Sequence, residues 1–183
     1  MLISLLQKQT PLIDVRSPIE YKKGALPNSI NLPILLDDER EQVGKAYKKL
    51  GPGPATDLGF KLVSKDIKEK RVNNWLNFIS NNPSAQIYCA RGGQRSKIAQ
   101  TWIAERGVNI SKIDGGFKSL RNECLNIIDE ACIDEKKWIV IAGMTGTNKT
   151  GIITLLNNGI DLEGLANHRG SAFGGFETPQ PTP

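Results

Sequence analysis

Short apolar runs in this chain alternate with longer stretches of helical character, and that alternation narrows the possible folds more than any other feature. Leu12 to Val15 is a β-type run that ends at Arg16-Ser17-Pro18. Ser17 then supplies a helix N-cap, Pro18 the first helical position and Glu20 the third, the pattern of a capping box. Ser29 to Leu32 reads as a brief strand inside the turn-rich Gly24 to Pro33. Asp37 to Leu50 is a polar helix with Val43, Ala46, Tyr47 and Leu50 on one side, broken by Gly51-Pro52-Gly53-Pro54. A second helix is expected from Lys61 to Ile79, with Val72, Trp75, Leu76 and Ile79 on one face. Gln86 to Tyr88 is the next strand, Lys97 to Arg106 the next helix, with Gly107 at its C-terminal cap. Ile110 to Ile113 suggests another strand, followed by Asp114-Gly115-Gly116-Phe117 and a helix through Ile128. Strands and helices in this order predict a parallel α/β sheet flanked by helices.

The pattern resets after a polar hinge at Ala131 to Lys137, where Trp138-Ile139-Val140-Ile141-Ala142 reads as a new buried strand. The expected division is therefore residues 1–132 and residues 133–183. The second part is short for an α/β domain of its own, and its last residues, Thr178 to Pro183, are Pro-rich. It reads as a domain begun and not completed.

Lys and Arg number 24 against 19 Asp and Glu, a net charge of +5. That balance suits a polyanionic partner such as RNA, and suits equally a mildly basic protein without one. Cys89, Cys124 and Cys132 form no C-x-x-C pair and there is one histidine, which argues against a zinc site and against any metal centre of that kind. The start of the chain lacks the basic region of a signal peptide, and no segment reaches membrane-spanning length. A reducing, cytoplasmic compartment is expected, with no membrane partner.

Tyr88-Cys89-Ala90-Arg91-Gly92-Gly93-Gln94-Arg95-Ser96 carries the chemistry. A strand ending in cysteine, a glycine-containing loop and a helix start make an anion cradle: backbone N–H groups converge and the helix N-terminus adds its positive end. Arg91 and Arg95 add charge. Such surroundings lower a thiol pKa, so Cys89 is the candidate nucleophile. Cys124 and Cys132 lack them and read as packing residues. A second candidate loop is Gly143-Met144-Thr145-Gly146-Thr147-Asn148-Lys149-Thr150, a strand-to-helix phosphate loop except that Asn148 stands where its last glycine belongs. Gly143 and Gly146 would shape it, Lys149 would reach phosphates and Thr150 would hold Mg²⁺. Asparagine tolerates left-handed backbone, so closure is compatible with Asn148.

Asp14 to Tyr21 and Gly24 to Pro33 together resemble the front of a rhodanese domain, and Asp114-Gly115-Gly116-Phe117 resembles its late glycine turn. Rhodanese domains carry sulfur or selenium on the loop cysteine, the place of Cys89. Five residues separate Cys89 from Arg95. That is one more than in sulfur-transferring rhodaneses and matches the C-x5-R cysteine phosphatases, a wider cradle. Leu36 to Gly44, Leu58 to Val63, the Cys89 loop and Leu162 to Gly174 resemble the tRNA 2-selenouridine synthase family across essentially the whole chain. The resemblance implies a rhodanese-like domain followed by part of a P-loop domain that continues well beyond residue 183 in its relatives.

It implies a selenotransferase acting on 2-thiouridine at the tRNA wobble position, with geranyl diphosphate and selenophosphate as substrates and no tightly bound cofactor. It also implies tRNA as partner and a selenophosphate-producing enzyme as donor source. Asp14 and Arg16 would brace the site as a charge pair, and His168, Arg169 and Ser171 would belong to a substrate pocket. Trp102 and Phe173 are candidates for stacking a splayed base, though packing accounts for both. Two other readings stay open: a non-catalytic tRNA- or anion-binding relic, and a C-x5-R phosphatase.

Overall fold

The structure, a computed structural model, describes residues 2–133, 135–144, 146–170, 174–178 and 180–181. The chain divides into two compact units, Met1–Cys132 and Ile133–Pro183.

In the first unit β1 (Leu12–Asp14), β2 (Ser29–Asn31), β3 (Gln86–Tyr88) and β4 (Ser111–Lys112) form a parallel sheet in the order β2-β1-β3-β4. Ile13 sits opposite Ile30 on one side and Ile87 on the other, and Gln86 opposite Ser111. The helices are α1 (Leu2–Gln7), α2 (Pro18–Lys22), α3 (Asp37–Leu50), α4 (Pro52–Leu62), α5 (Lys65–Asn81), α6 (Gln94–Ala104) and α7 (Gly116–Ile133).

Two-residue periodicity assigns the strand side chains to two cores. Ile13, Val15, Ile87 and Cys89 join Val72, Trp75 and Ile79 of α5 and Ala99, Trp102 and Ile103 of α6. Leu12 and Tyr88 join Leu5 of α1, Leu120 of α7 and the loop residues Leu26 and Ile113. Helices thus cover both faces, as a parallel sheet requires. Trp75 is wholly buried, donates its indole N–H to the Leu32 carbonyl at 2.9 Å and stacks on Trp102.

The structure corrects three boundaries. The Gly-Pro-Gly-Pro stretch ends α3 at Leu50 as expected but also begins α4 at once, because Pro52 occupies an early helical position, where a missing N–H is harmless. The expected helix from Lys61 is consequently split at Val63-Ser64, with Lys61 in α4 and α5 starting at Lys65. Helix α7 runs past Ile128 into the expected hinge and ends at Ile133.

The second unit contains α8 (Lys149–Thr154), α9 (Leu162–Leu165) and a bridge between His168 and Gly175. The expected buried strand at 138–142 is not formed. Trp138, Ile139 and Val140 are 61%, 78% and 86% exposed, and no strand among the described residues lies beside them. A parallel strand gains its hydrogen bonds and burial only from neighbours, so the apolar run alone does not fold. No described hydrophobic side chain of residues 133–181 is buried. No helix of the described residues is long and apolar enough to cross a membrane.

Candidate active site

The strand order places the site. From β1 the chain turns outward to β2, and from β3 outward to β4, so the crevice at the carboxyl ends of β1 and β3 is the sheet's topological switch point. Cys89 follows β3 there, and Arg16 and Ser17 follow β1.

The cysteine loop is held from behind. Its Cys89 and Ala90 carbonyls accept the Phe117 and Lys118 amides of α7 at 2.9 and 3.0 Å, and the Gly92 carbonyl accepts the Lys112 ammonium at 3.0 Å. With those carbonyls turned away, the Arg91 and Ser96 amides serve the sulfur. The Ser96 hydroxyl lies 3.3 Å from Cys89 Sγ. Close approach of two backbones makes this possible. Gly92 and Gly116 both have positive φ, and a Cβ on Gly92 would stand 2.6 Å from the Gly115 amide. A Cβ on Gly116 would overlap the Cys89 carbonyl and the Gly92 amide.

Burial pushes the Cys89 thiol up, but the Ser96 hydroxyl, the Ser96 and Arg91 amides and the Arg95 charge outweigh it and bring the thiol below its ordinary value. At Cys124 burial and the Glu123 charge both push the thiol up. The Cys132 side chain lies outside the described residues. The alkylation rate of Cys89, followed by peptide mapping against pH, should therefore have its midpoint below that of a free cysteine, about 8.5, and that of Cys124 above it. Coincident midpoints would remove the loop's special character.

The two loop arginines differ. Arg91 is exposed. Arg95 is not a free cation in the cradle, because its terminal nitrogens lie 2.5 and 3.1 Å from the two carboxylate oxygens of Glu20. The same carboxylate receives the Arg40 Nε at 3.1 Å and the Ser17 amide at 3.1 Å. Glu20 was legible in the sequence as a capping residue. Its role as the joint between α2, α3 and the cysteine loop was not, because 75 residues separate it from Arg95.

Burial alone would raise the Glu20 pKa; the Arg95 hydrogen bond and charge, the Ser17 amide and the Arg40 charge lower it to about 2. A depressed folded-state pKa contributes stability above the ordinary carboxylate range, lost as pH falls through about 2. After allowance for solvent screening, wild-type should lose about 1–2 kcal/mol more than Glu20→Gln between pH 5 and pH 2, read by denaturant unfolding. Parallel acid profiles would contradict the ion pair.

Asp14 and Arg16 lie across the sheet from the sulfur. Asp14 is fully buried and Arg16 4% exposed, joined through the Arg16 Nε at 2.9 Å and Nη2 at 2.6 Å. The Arg16 guanidinium also donates to the Gly24 carbonyl and lies 3.8 Å from the centre of the Phe117 ring. Phe117 in turn holds the Cys89 carbonyl through its amide. The pair thus meets, through Phe117, the helix whose amide holds the Cys89 carbonyl.

In the second unit Asn148 adopts the left-handed conformation and its side chain folds against Gly151. The Lys149 ammonium donates to the Gly143 and Met144 carbonyls at 2.8 and 2.9 Å. Gly146 supplies a positive φ in the same turn. Thr150 offers a single hydroxyl, sufficient for Mg²⁺ only together with the oxygens of a bound phosphate. Among the described residues no cluster of His, Cys, Asp and Glu is arranged for a metal ion. His168 accepts the Gly170 amide through Nδ1 at 3.0 Å, and Arg169 lies over the Phe176 ring at 4.7 Å. Ser171 and Phe173 lie outside the described residues.

A rhodanese-like domain model matches residues 2–123, well over half of the chain. The chain belongs to the rhodanese-like family. A second model, the tRNA 2-selenouridine synthase AAA domain, matches residues 136–183. The chain is 51% identical over 179 residues to a tRNA 2-selenouridine synthase of Sulfurovum sp., a match covering 98% of this chain and 49% of that protein. It is 48% identical to the Psychromonas ingrahamii tRNA 2-selenouridine synthase, over 97% of this chain and 48% of the relative. This rhodanese-like chain thus spans about half the length of the curated relatives it matches. Among solved structures it is similar to the N-terminal domain of a Clostridium difficile 630 protein provisionally named as ATP/GTP binding, with 34% identity and a TM-score of 0.59, covering 63% of this chain and 89% of that one.

Proposed function

We propose that this rhodanese-like chain serves the replacement of sulfur by selenium in tRNA wobble 2-thiouridine, with selenophosphate as donor and Cys89 as nucleophile and chalcogen carrier. The thiolate attacks selenium, the S–Se bond forms as the Se–P bond breaks, and that bond's electron pair leaves on phosphorus as phosphite. The terminal selenium then attacks C2 of the geranylated base, geranylthiolate leaves, and a small thiol cleaves the S–Se bond to release the selenouridine. The supporting observation is the Cys89 thiol, lowered by two amides and a hydroxyl at the sheet's switch point, in a chain so similar to tRNA 2-selenouridine synthases. The exposed Arg91 and the loop amides receive the donor's phosphate oxygens. Arg95, held by Glu20, fixes the loop. The segment Gly143 to Thr150 takes the diphosphate of geranyl diphosphate, through which the sulfur is geranylated before selenium displaces it. The segment around His168 and Arg169 serves that substrate's pocket, and the donor comes from a selenophosphate-producing enzyme.

A C-x5-R phosphatase forks its arginine onto phosphate. Here one N–H on each terminal nitrogen of Arg95 is already on the Glu20 carboxylate, which leaves only the remaining N–H groups for an anion. The deciding experiment supplies selenophosphate, a small thiol as reductant and an anticodon stem-loop bearing S-geranyl-2-thiouridine, then analyses the nucleosides. Selenouridine that depends on Cys89, without hydrolysis of p-nitrophenyl phosphate, is the expected result. Hydrolysis that depends on Cys89 would replace this reading with the phosphatase. RNA binding with unchanged nucleosides would replace it with a binding relic.

A further inference from the structure

A cleft between α3, α4 and α6 adjoins the cysteine loop. Its inner part is lined by Val43, Tyr47, Phe60, Ile98 and Trp102 and reaches Gln94 and Arg95, which close the loop. Phe60, Gln94 and Trp102 are shared with an outer hollow rimmed by Lys65, Lys68 and Lys97. Tyr47 and Phe60 are 57% and 44% exposed, large aromatic faces left in water beside a reactive loop.

We infer that this cleft seats one nucleotide of a single-stranded RNA, with the base against Tyr47 and Phe60 and the flanking phosphates on Lys65 and Lys97. The inference rests on the reading proposed above and adds the surface that presents the base to Cys89. Three features select a nucleotide. Aromatic faces at a pocket mouth stack any base. Gln94 uses one amide hydrogen on the Thr56 hydroxyl, at 2.9 Å, which leaves a carbonyl and a second N–H for the alternating edge of a pyrimidine. The rim is cationic where phosphates would lie: Lys68 pairs with Glu105, whereas Lys65 and Lys97 have no ion-pair partner among the described residues. Lys65 also holds a left-handed backbone, φ 47, unusual for a side chain of its size. A hydrocarbon ligand would fill the apolar depth and leave the Gln94 carboxamide and both lysines unused.

The test uses the 183-residue chain and a fluorescein-labelled heptauridylate with a central 4-thiouridine. Ultraviolet cross-linking followed by peptide mapping should place the adduct on the segments carrying Tyr47 or Phe60. The Lys65→Glu/Lys97→Glu double variant should weaken binding about tenfold or more and reduce the salt slope by about 1.4, from two phosphate contacts on a single strand. Tyr47→Ala should cut the cross-link yield severalfold. A Lys22→Glu/Lys23→Glu control, at the C-terminal end of α2, should leave binding within twofold.

Cross-links mapping elsewhere, or unchanged binding in the Lys65→Glu/Lys97→Glu variant, overturn the inference, as does decyl phosphate filling the cleft without displacing the RNA. Selenium loading of Cys89, measured on the same preparation, separates the two ideas. Loading with cross-links elsewhere leaves the carrier reading standing and removes the cleft. Cross-links in the cleft without loading retain the nucleotide seat and remove the carrier.

Discussion

Replacing Arg16 by methionine should lower the stability of the first unit by about 3–5 kcal/mol, measured by urea unfolding. Asp14 is fully exposed to the consequence: it is 0% solvent-accessible, and Arg16 supplies the hydrogen bonds to both of its carboxylate oxygens. Removing one partner strands a buried charge, which costs far more than a surface pair is worth. The Asp14→Leu/Arg16→Met double variant should recover most of the loss, because it removes both charges together. The Arg16 ring contact with Phe117, 3.8 Å to the centroid, adds a second expected effect. Slackening it should loosen the amide that holds Cys89. A single variant within about 1 kcal/mol of wild-type would show that the pair is hydrated and does not brace the loop.

Gly116→Ala should be nearly as damaging and more specific. Gly116 has φ +58, and its Cβ would overlap both the Cys89 carbonyl and the Gly92 amide. Neither is a flexible side-chain end, so the cysteine loop and the start of α7 must separate. Backbone strain and overlap together should cost about 2–4 kcal/mol. Separation would turn loop carbonyls back toward the sulfur and weaken the amides now serving it. The alkylation rate of Cys89 at pH 7 should then fall, because the amides and hydroxyl that hold its thiol below the ordinary value are weakened. Gly53→Ala is the matched control, since a Cβ there meets nothing within 4 Å. An unchanged Cys89 rate in folded Gly116→Ala would mean that the glycine turn shapes the fold without tuning the thiol.

The sheet was legible because its strands carry their own signals. Leu12, Ile13, Ile87 and Tyr88 are apolar on both faces, as a doubly covered strand demands, and Ser17-Pro18-Ile19-Glu20 writes out a helix start. The cysteine loop was legible for a similar local reason, since strand, thiol, glycines and helix start are consecutive. What the sequence withheld depends on distance in the chain or on neighbours. Arg95 looked like a free cation because Glu20, which holds it, belongs to a helix near the other end of the unit. The cleft beneath Tyr47 and Phe60 arises only when α4 folds back on α3, and α4 was hidden by a Gly-Pro-Gly-Pro stretch that reads as a breaker. Trp138 to Ala142 has the composition of a buried strand, but composition does not supply the partner strands that burial needs.

The central claim is that Cys89 is a poised chalcogen carrier, and intact mass after anaerobic incubation with selenophosphate tests it most directly. Wild-type chain should gain one selenium-sized increment, localised by peptide mapping to the segment containing Cys89, and the folded Cys89→Ser variant should gain none. An increment on Cys124 or Cys132 instead, or none on a folded wild-type chain whose Cys89 still alkylates readily, would contradict it.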